Sequence, residues 1–107
     1  MGMEKSILAF KMNDASLRKK IAEIARDSSR VIVTSHAKKQ MRKRRILITL
    51  VIKCLCRGNV IESAHQDIHG CWKLTLELAV CGDVVKVAAA LDRDEAGEFI
   101  IVITVMH

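Results

Sequence analysis

The residues with the clearest chemical potential lie in one short segment, residues 34–46, which is the most cationic part of the chain. These thirteen residues carry six Lys or Arg side chains and one histidine, His36. Lysine and arginine neutralise phosphates, and a histidine titrates near neutral pH, so it can take or give a proton there. The segment therefore suits a polyanion and permits acid–base chemistry on it.

The spacing of apolar residues predicts that this segment forms a helix over residues 36–45, capped by Ser35. His36, Gln40 and Arg44 then share one stripe, beside a core-facing stripe that holds Ala37 and Met41. About 12 Å separates His36 from Arg44 along the axis, so the two would contact adjacent phosphates along a strand. The remaining cations project around the exposed sides, where they would bind a nucleic-acid backbone or simply be solvated: Lys38, Lys39, Arg42, Lys43 and Arg45.

Length and composition indicate a single domain over residues 1–107, with a helical segment at 1–29 and a motif-bearing core at 30–107. Of the 107 residues, 50% are hydrophobic and 28% are charged, which excludes a disordered or membrane-spanning chain. Residues 1–11 lack the apolar core and cleavage site of a signal peptide, so we expect a cytoplasmic protein that does not associate with membranes.

The net charge of +6 is unevenly distributed along the chain. Residues 1–57 contain 15 Lys and Arg against 4 Asp and Glu, a balance of +11, whereas residues 58–107 contain 3 against 8, a balance of −5. This polarity predicts one face that meets phosphates and another that stays solvated or meets a basic partner. One Trp, two Phe and no Tyr are too few aromatic platforms for a single-strand binder of the RRM or OB type.

Helices are predicted on both sides of the cationic segment. Asn13 or Asp14 caps a first helix over residues 14–27, and a short β-rich stretch follows at 30–34. A further helix opens at Thr49 and ends at Gly58, which we expect in the left-handed conformation. The apolar stripe of the first helix consists of Leu17, Ile21, Ile24 and Ala25.

After residue 58 the hydrophobic period changes from helical to two. Strands are predicted over about 60–66, 72–80, 84–91 and 99–106, and the last is apolar on both faces, which places it centrally. We therefore expect an α+β fold in which N-terminal helices pack on one face of an antiparallel meander of about four strands.

The order of several short motifs resembles a family of uncharacterised bacterial domains. Its pattern is T-x-H-A-x-x-R-M-x-x-R-x-I, then L-x-x-G-x-V-x-E, then a meander ending in a strand such as I-V-I-T-V. The likeness covers roughly residues 30–106, through 33–37, Met41, Arg44, Ile46, Leu55, Gly58, Val60, Glu62, 70–73 and 101–105. These domains are similar to the RelE-type and BrnT-type toxin ribonucleases of toxin–antitoxin pairs, which implies a RelE/barnase-like fold.

The resemblance implies catalytic roles for His36, Arg44, Lys73 and Thr104. A ribonuclease of this kind needs no metal or other cofactor: a base deprotonates the ribose 2′-hydroxyl, cations stabilise the phosphorane charge, and an acid protonates the leaving oxygen. Gln40 departs from the pattern, which has arginine there, and this removes the cation expected to share a phosphate with His36.

Simpler interpretations of the same residues stay open. Lys73 occupies the polar side of an alternating strand, and Thr104 is a good β-former within one. The implied partners are RNA and an acidic or DNA-binding antitoxin. The alternatives are a nucleic-acid-binding module without catalysis and a protein-interaction domain that docks an acidic partner through its basic half.

A zinc site is a separate hypothesis, because five thiols and imidazoles lie close together in the chain: Cys54, Cys56, His65, His69 and Cys71. Zinc prefers four such ligands in a tetrahedron. A Cys-x-Cys pair on a helix splays its thiols apart, so we expect reduced, mostly buried cysteines and no metal.

Overall fold

A computed structural model describes residues 13–107, so the expectation about a signal peptide falls on residues outside the described part. The elements follow one another as α1 (Asp14–Ala25), a 3₁₀ turn (Ser28–Arg30), β1 (Val31–Val33), α2 (Ser35–Arg44), α3 (Ile48–Arg57), β2 (Asn59–Gln66), β3 (Trp72–Val80), β4 (Asp83–Asp94) and β5 (Gly97–Met106).

The strands form one mixed sheet in the order β1-β5-β4-β3-β2. Strands β2 to β5 make the predicted antiparallel meander, and β5 lies inside the sheet. The prediction of about four antiparallel strands is nevertheless wrong, because β1 adds a fifth strand parallel to β5, through Val31↔Ile100 and Val33↔Val102. Three residues are too few to display an alternating period, and their partner lies near the other end of the chain.

The helices pack on one face of the sheet, as predicted. Apolar residues of α1 and α3 bury themselves against alternate residues of β3, β4 and β5 in a single core, which includes Leu17, Ile21, Val51, Leu55, Leu76, Val87 and Val102. In the described part of the chain, the other sheet face carries no helix. None of the described helices combines the length and apolar character needed to cross a bilayer.

The start of α1 is fixed by two neighbouring polar residues with different roles. Asn13 caps the helix, since its Oδ1 accepts the Ser16 N–H at 2.7 Å. The Asp14 carboxylate instead accepts the Ala64 N–H at 2.7 Å and joins α1 to β2.

The other helix ends correct three details of the sequence interpretation. Thr34, not Ser35, caps α2, and α3 begins at Ile48 without a side-chain cap. Gly58 has a φ of −67° rather than a left-handed one; it is needed because a Cβ there would lie 2.5 Å from the Cys54 carbonyl oxygen. Among the helix ends of residues 13–107, the residue with a left-handed conformation is Arg45, at the end of α2.

Candidate nucleic-acid interface

Helix α2 lies along an edge of the sheet that β1 is too short to cover. Strand β1 pairs only with residues 100–102 of β5, and the chain then turns into α2. Thr34 donates its N–H to the Val102 oxygen at 3.1 Å and its hydroxyl to the Ile103 oxygen at 3.3 Å. Further along, Gln40 Oε1 accepts the Val105 N–H at 2.9 Å. Two side chains of the α2 region thus continue the hydrogen bonding that β1 leaves unfinished.

The role of Gln40 therefore differs from the one that the sequence indicated. Its side chain faces β5 and satisfies a backbone donor, so it does not belong to the outward stripe. An arginine at this position has only donors and could not accept the Val105 N–H. Gln40 is therefore a residue that positions the helix against β5.

The outward face of α2 consists almost entirely of cations. Ala37 is fully buried and sets the phase of the helix, which turns by about 100° per residue. All of the proposed site residues of this helix region are exposed: His36, Lys38, Lys39, Arg42, Lys43, Arg44 and Arg45. The ion pairs of residues 13–107 involve Lys20, Arg30 and Arg93, so no described carboxylate neutralises the cations of α2.

The closest cationic neighbours of His36 on the helix surface are Lys39 and Lys43. At spacings of three and seven residues, the three side chains lie within about 60° of one another around the axis. Arg44 lies on the same side of the helix axis as the buried Ala37, and it is exposed because α2 ends there. Along the axis, Lys39 is about 4.5 Å and Lys43 about 10.5 Å from His36 on one side of the helix, whereas Arg44 is about 12 Å away on another side.

Two shallow hollows flank α2 on its other side, with volumes of about 350 and 450 Å³. They share Lys38, Met41 and Ile48, and they extend to Arg42 and Arg45 in one direction and to β1 in the other. Neither hollow is lined by His36 or Arg44. Their floors are apolar and the charged residues that line them are cations, an arrangement that suits a polyanion with apolar parts.

Lys73 and Thr104 lie away from this surface, on the sheet face opposite the helices. Lys73 pairs with Ala90 and Thr104 with Ala88. Since the intervening Ala89 is buried in the core, its neighbours and their partners point to the other face. Lys73 is also two strands from β5, or roughly 10 Å. The structure therefore does not bring the four predicted catalytic residues together.

Most positions of the family-like pattern have packing roles. Thr34 caps α2, Gly58 permits a close backbone approach, and three further motif residues are buried: Ala37, Ile46 and Leu55. His36 and Arg44 are exposed, and no hydrogen bond or ion pair to a described residue accounts for them. Of the motif residues on α2, they are the ones free to meet a ligand.

The thiols and imidazoles considered for zinc do not converge. Cys54 is buried near the Val85 oxygen, whereas Cys56 faces Ala22 of α1 at 4.0 Å. His69 and Cys71 belong to the turn between β2 and β3. Burial raises the pKa of Cys54 to about 12, which opposes the thiolate that a metal requires. Within residues 13–107, no group of three or more His, Cys, Asp or Glu side chains could hold a metal ion.

Comparison with known proteins assigns the part of the chain that contains α2 to one family. No curated protein matches the chain, and no solved structure does. Residues 33–107 match the family described as "Domain of unknown function (DUF4258)". The matched region runs from the last residue of β1 through α2 and α3 to the end of the sheet, which is well over half of the chain. The chain therefore belongs to the DUF4258 family.

Proposed function

We propose that this protein binds RNA through the outward face of α2. The observation that carries the proposal is a set of exposed lysines and arginines on one helix, with no ion-pair partner among the described residues. Cations in this state retain their full charge, and each phosphate that they neutralise releases bound counterions. The contacts would be to the backbone, so they position a strand without reading its sequence.

Two further features favour RNA as the polyanion. The hollows beside α2 combine a cationic rim with an apolar floor, which suits an unpaired strand with accessible sugars and bases. The sequence resemblance to RelE-type and BrnT-type toxins also points to RNA. In such a toxin–antitoxin pair, an acidic antitoxin would compete with RNA for the same face of α2.

The binding proposal is tested by fluorescence anisotropy with a short labelled single-stranded RNA at several salt concentrations. Lys39→Gln/Lys43→Gln should weaken binding and lower the slope of log affinity against log salt by about 1.4, since each lost contact to a single strand removes about 0.7. The matched control is Lys53→Gln/Arg57→Gln, which makes the same charge change at the same spacing on α3. A salt-independent affinity, or equal losses in the two variants, would contradict the proposal.

Metal-independent cleavage of the bound RNA is a second candidate, favoured by the exposed position of His36 one turn from Lys39 and on the same side of α2 as Lys43. In this step the imidazole removes the proton from a ribose 2′-hydroxyl, whose oxygen bonds to the adjacent phosphorus. The bond from phosphorus to the 5′-oxygen then breaks, and that oxygen takes a proton from an acid, which leaves a 2′,3′-cyclic phosphate. Lysine ammonium groups would stabilise the charge that develops on the phosphoryl oxygens.

Cleavage is tested by incubating pure protein with end-labelled RNA and by expressing it in bacteria. The wild-type protein should yield cyclic-phosphate ends and arrest growth, whereas His36→Ala should abolish both and keep its affinity for RNA. Arg44→Ala tests the role that the family resemblance implies for that residue. If the RNA stays intact after incubation with the wild-type protein, the cleavage proposal is excluded and the binding proposal remains.

A further inference from the structure

A separate cleft of about 770 Å³ lies between α1 and α3. Helix α3 lines it with an apolar stripe at Ile48, Ile52 and Cys56 and with a polar stripe at Thr49, Lys53 and Arg57. Helix α1 contributes Ala22, and Arg26 follows the last residue of that helix. Ile48 also lines the two hollows beside α2, so the cleft adjoins the proposed RNA interface, but the cations that line the cleft belong to other parts of the chain than α2.

The apolar stripe in this cleft borders the core-facing side of α3. The helix already buries Val51, Cys54 and Leu55 against the sheet. Ile48, Ile52 and Cys56 repeat every four residues on the adjoining side; Ile52 and Cys56 are half-buried and pack against the core, whereas Ile48 keeps 45% of its surface exposed. The parts of these side chains that stay accessible form the apolar floor of the cleft, and an apolar floor in a concave site is typical of small-molecule binding.

The charge of the cleft defines what could cover this surface. The charged residues that line it are Arg26, Lys53 and Arg57, all of them cations. No carboxylate of residues 13–107 forms an ion pair with any of them. Lys53 and Arg57 are four residues apart, so they lie one turn from each other on the same side of α3.

A hydrogen bond from a side chain to the backbone joins the two helices at one end of the cleft. Arg18 Nε of α1 donates to the Gly58 oxygen at 2.8 Å, immediately after α3 ends. This contact fixes the start of α1 against the end of α3. The lining of α3 extends for about 13 Å from Ile48 to Arg57, at 1.5 Å per residue.

We propose that this cleft binds a small amphipathic anion, with its aliphatic body along Ile48, Ile52 and Cys56 and its anionic head at Lys53 and Arg57. The volume falls within the roughly 300–1,000 Å³ typical of small-molecule sites. An apolar floor with a few convergent charges is the lining that such sites use to fix orientation. The proposal does not depend on RNA binding.

Decanoate is the probe that tests the site, in a ¹H–¹⁵N NMR titration of the full chain below the micelle concentration. We expect perturbations centred on α1 and α3, with much weaker binding of acetate and of decyltrimethylammonium. Lys53→Gln/Arg57→Gln should weaken decanoate binding about tenfold, because it removes charge-assisted hydrogen bonds to the head group. Lys39→Gln/Lys43→Gln on α2 should leave it unchanged.

Each other outcome overturns the proposal in a distinct way. Equal binding of decyltrimethylammonium would show that the cations do not select the ligand, and equal binding of acetate would show that the apolar stripe does not contribute. Decanoate that perturbs only other regions, or none, would exclude the cleft. Displacement of decanoate by single-stranded RNA would assign the cleft to a nucleic acid instead, whatever the result for α2.

Discussion

Helices α2 and α3 are consecutive, have ten residues each and are attached to the sheet by opposite means. In α2 only Ala37 is fully buried, and hydrogen bonds from Thr34 and Gln40 hold the helix at the edge of β5. In α3 the attachment is apolar, through three buried residues. Stability is therefore concentrated in α3 and exposed charge in α2, so a mutation can change one of these properties without the other.

The magnitudes support this division. Full burial of a large aliphatic side chain contributes about 1.5–3 kcal/mol, whereas a single hydrogen bond contributes about 0.5–1.5 kcal/mol net. The polar anchors of α2 therefore fix its position more than they stabilise the fold. Its exposed cations are free to be optimised for a ligand.

The largest expected effect is on α3. Leu55→Ala should lower the free energy of unfolding by about 2–5 kcal/mol, because Leu55 is buried in the core and leaves a cavity. Met41→Ala is the corresponding change on α2, where the side chain is only half-buried, and it should cost clearly less. Urea denaturation of both variants measures the difference, and an equal or larger loss for Met41→Ala would refute the division of roles.

An intermediate effect is expected at the polar anchor of α2. Gln40→Leu removes the acceptor of the Val105 N–H, and an unsatisfied donor there should cost about 1–3 kcal/mol in urea denaturation. Hydrogen exchange at the Val105 amide should accelerate at the same time. Gln40→Glu keeps an acceptor and should cost less; if the two variants were equally destabilised, the hydrogen bond would not be what holds α2 at the edge.

The effect that is smallest at neutral pH concerns Cys54, the buried thiol of α3. Burial raises the pKa of Cys54 from 9.0 to about 12, so its contribution to stability is complete below pH 9 and is lost as the pH rises toward 12. The urea concentration at the unfolding midpoint should therefore decrease as the pH is raised from 9 to 12, and Cys54→Ala should lack the part of this decrease that comes from the thiol.

At neutral pH, iodoacetamide should modify the exposed Cys81 first and the buried Cys54 last. Early modification of Cys54 would mean that α3 does not pack as described.

Much of the fold follows from sequence periodicity, and the exceptions have physical causes. The alternation along Trp72–Val80 and the stripe of Leu17 and Ile21 each record one buried face, so β3 and α1 are predictable. Strand β1 is not, because its pairing with β5 depends on a contact between distant parts of the chain. Helix α2 is capped by Thr34 rather than by the predicted Ser35 because the position of the cap depends on where β1 ends.

The candidate site was predictable in composition and less so in arrangement. The exposure of Lys38, Lys39, Arg42, Lys43 and Arg45 follows from their charge, and the structure confirms it. The inward direction of Gln40 was not predictable, because an amide is equally suited to solvent and to a backbone donor. The buried Ala37 fixes the phase of the helix, and from that phase His36, Lys39 and Lys43 lie on one side of α2.

The most direct test of the central claim is a ¹H–¹⁵N NMR titration of the full chain with a short single-stranded RNA at low salt. The account predicts that the largest perturbations fall on the backbone amides of residues 35–45 and disappear as salt is raised. Perturbations confined to the helix-free face of the sheet, around Lys73 and Lys86, with α2 unchanged, would contradict it.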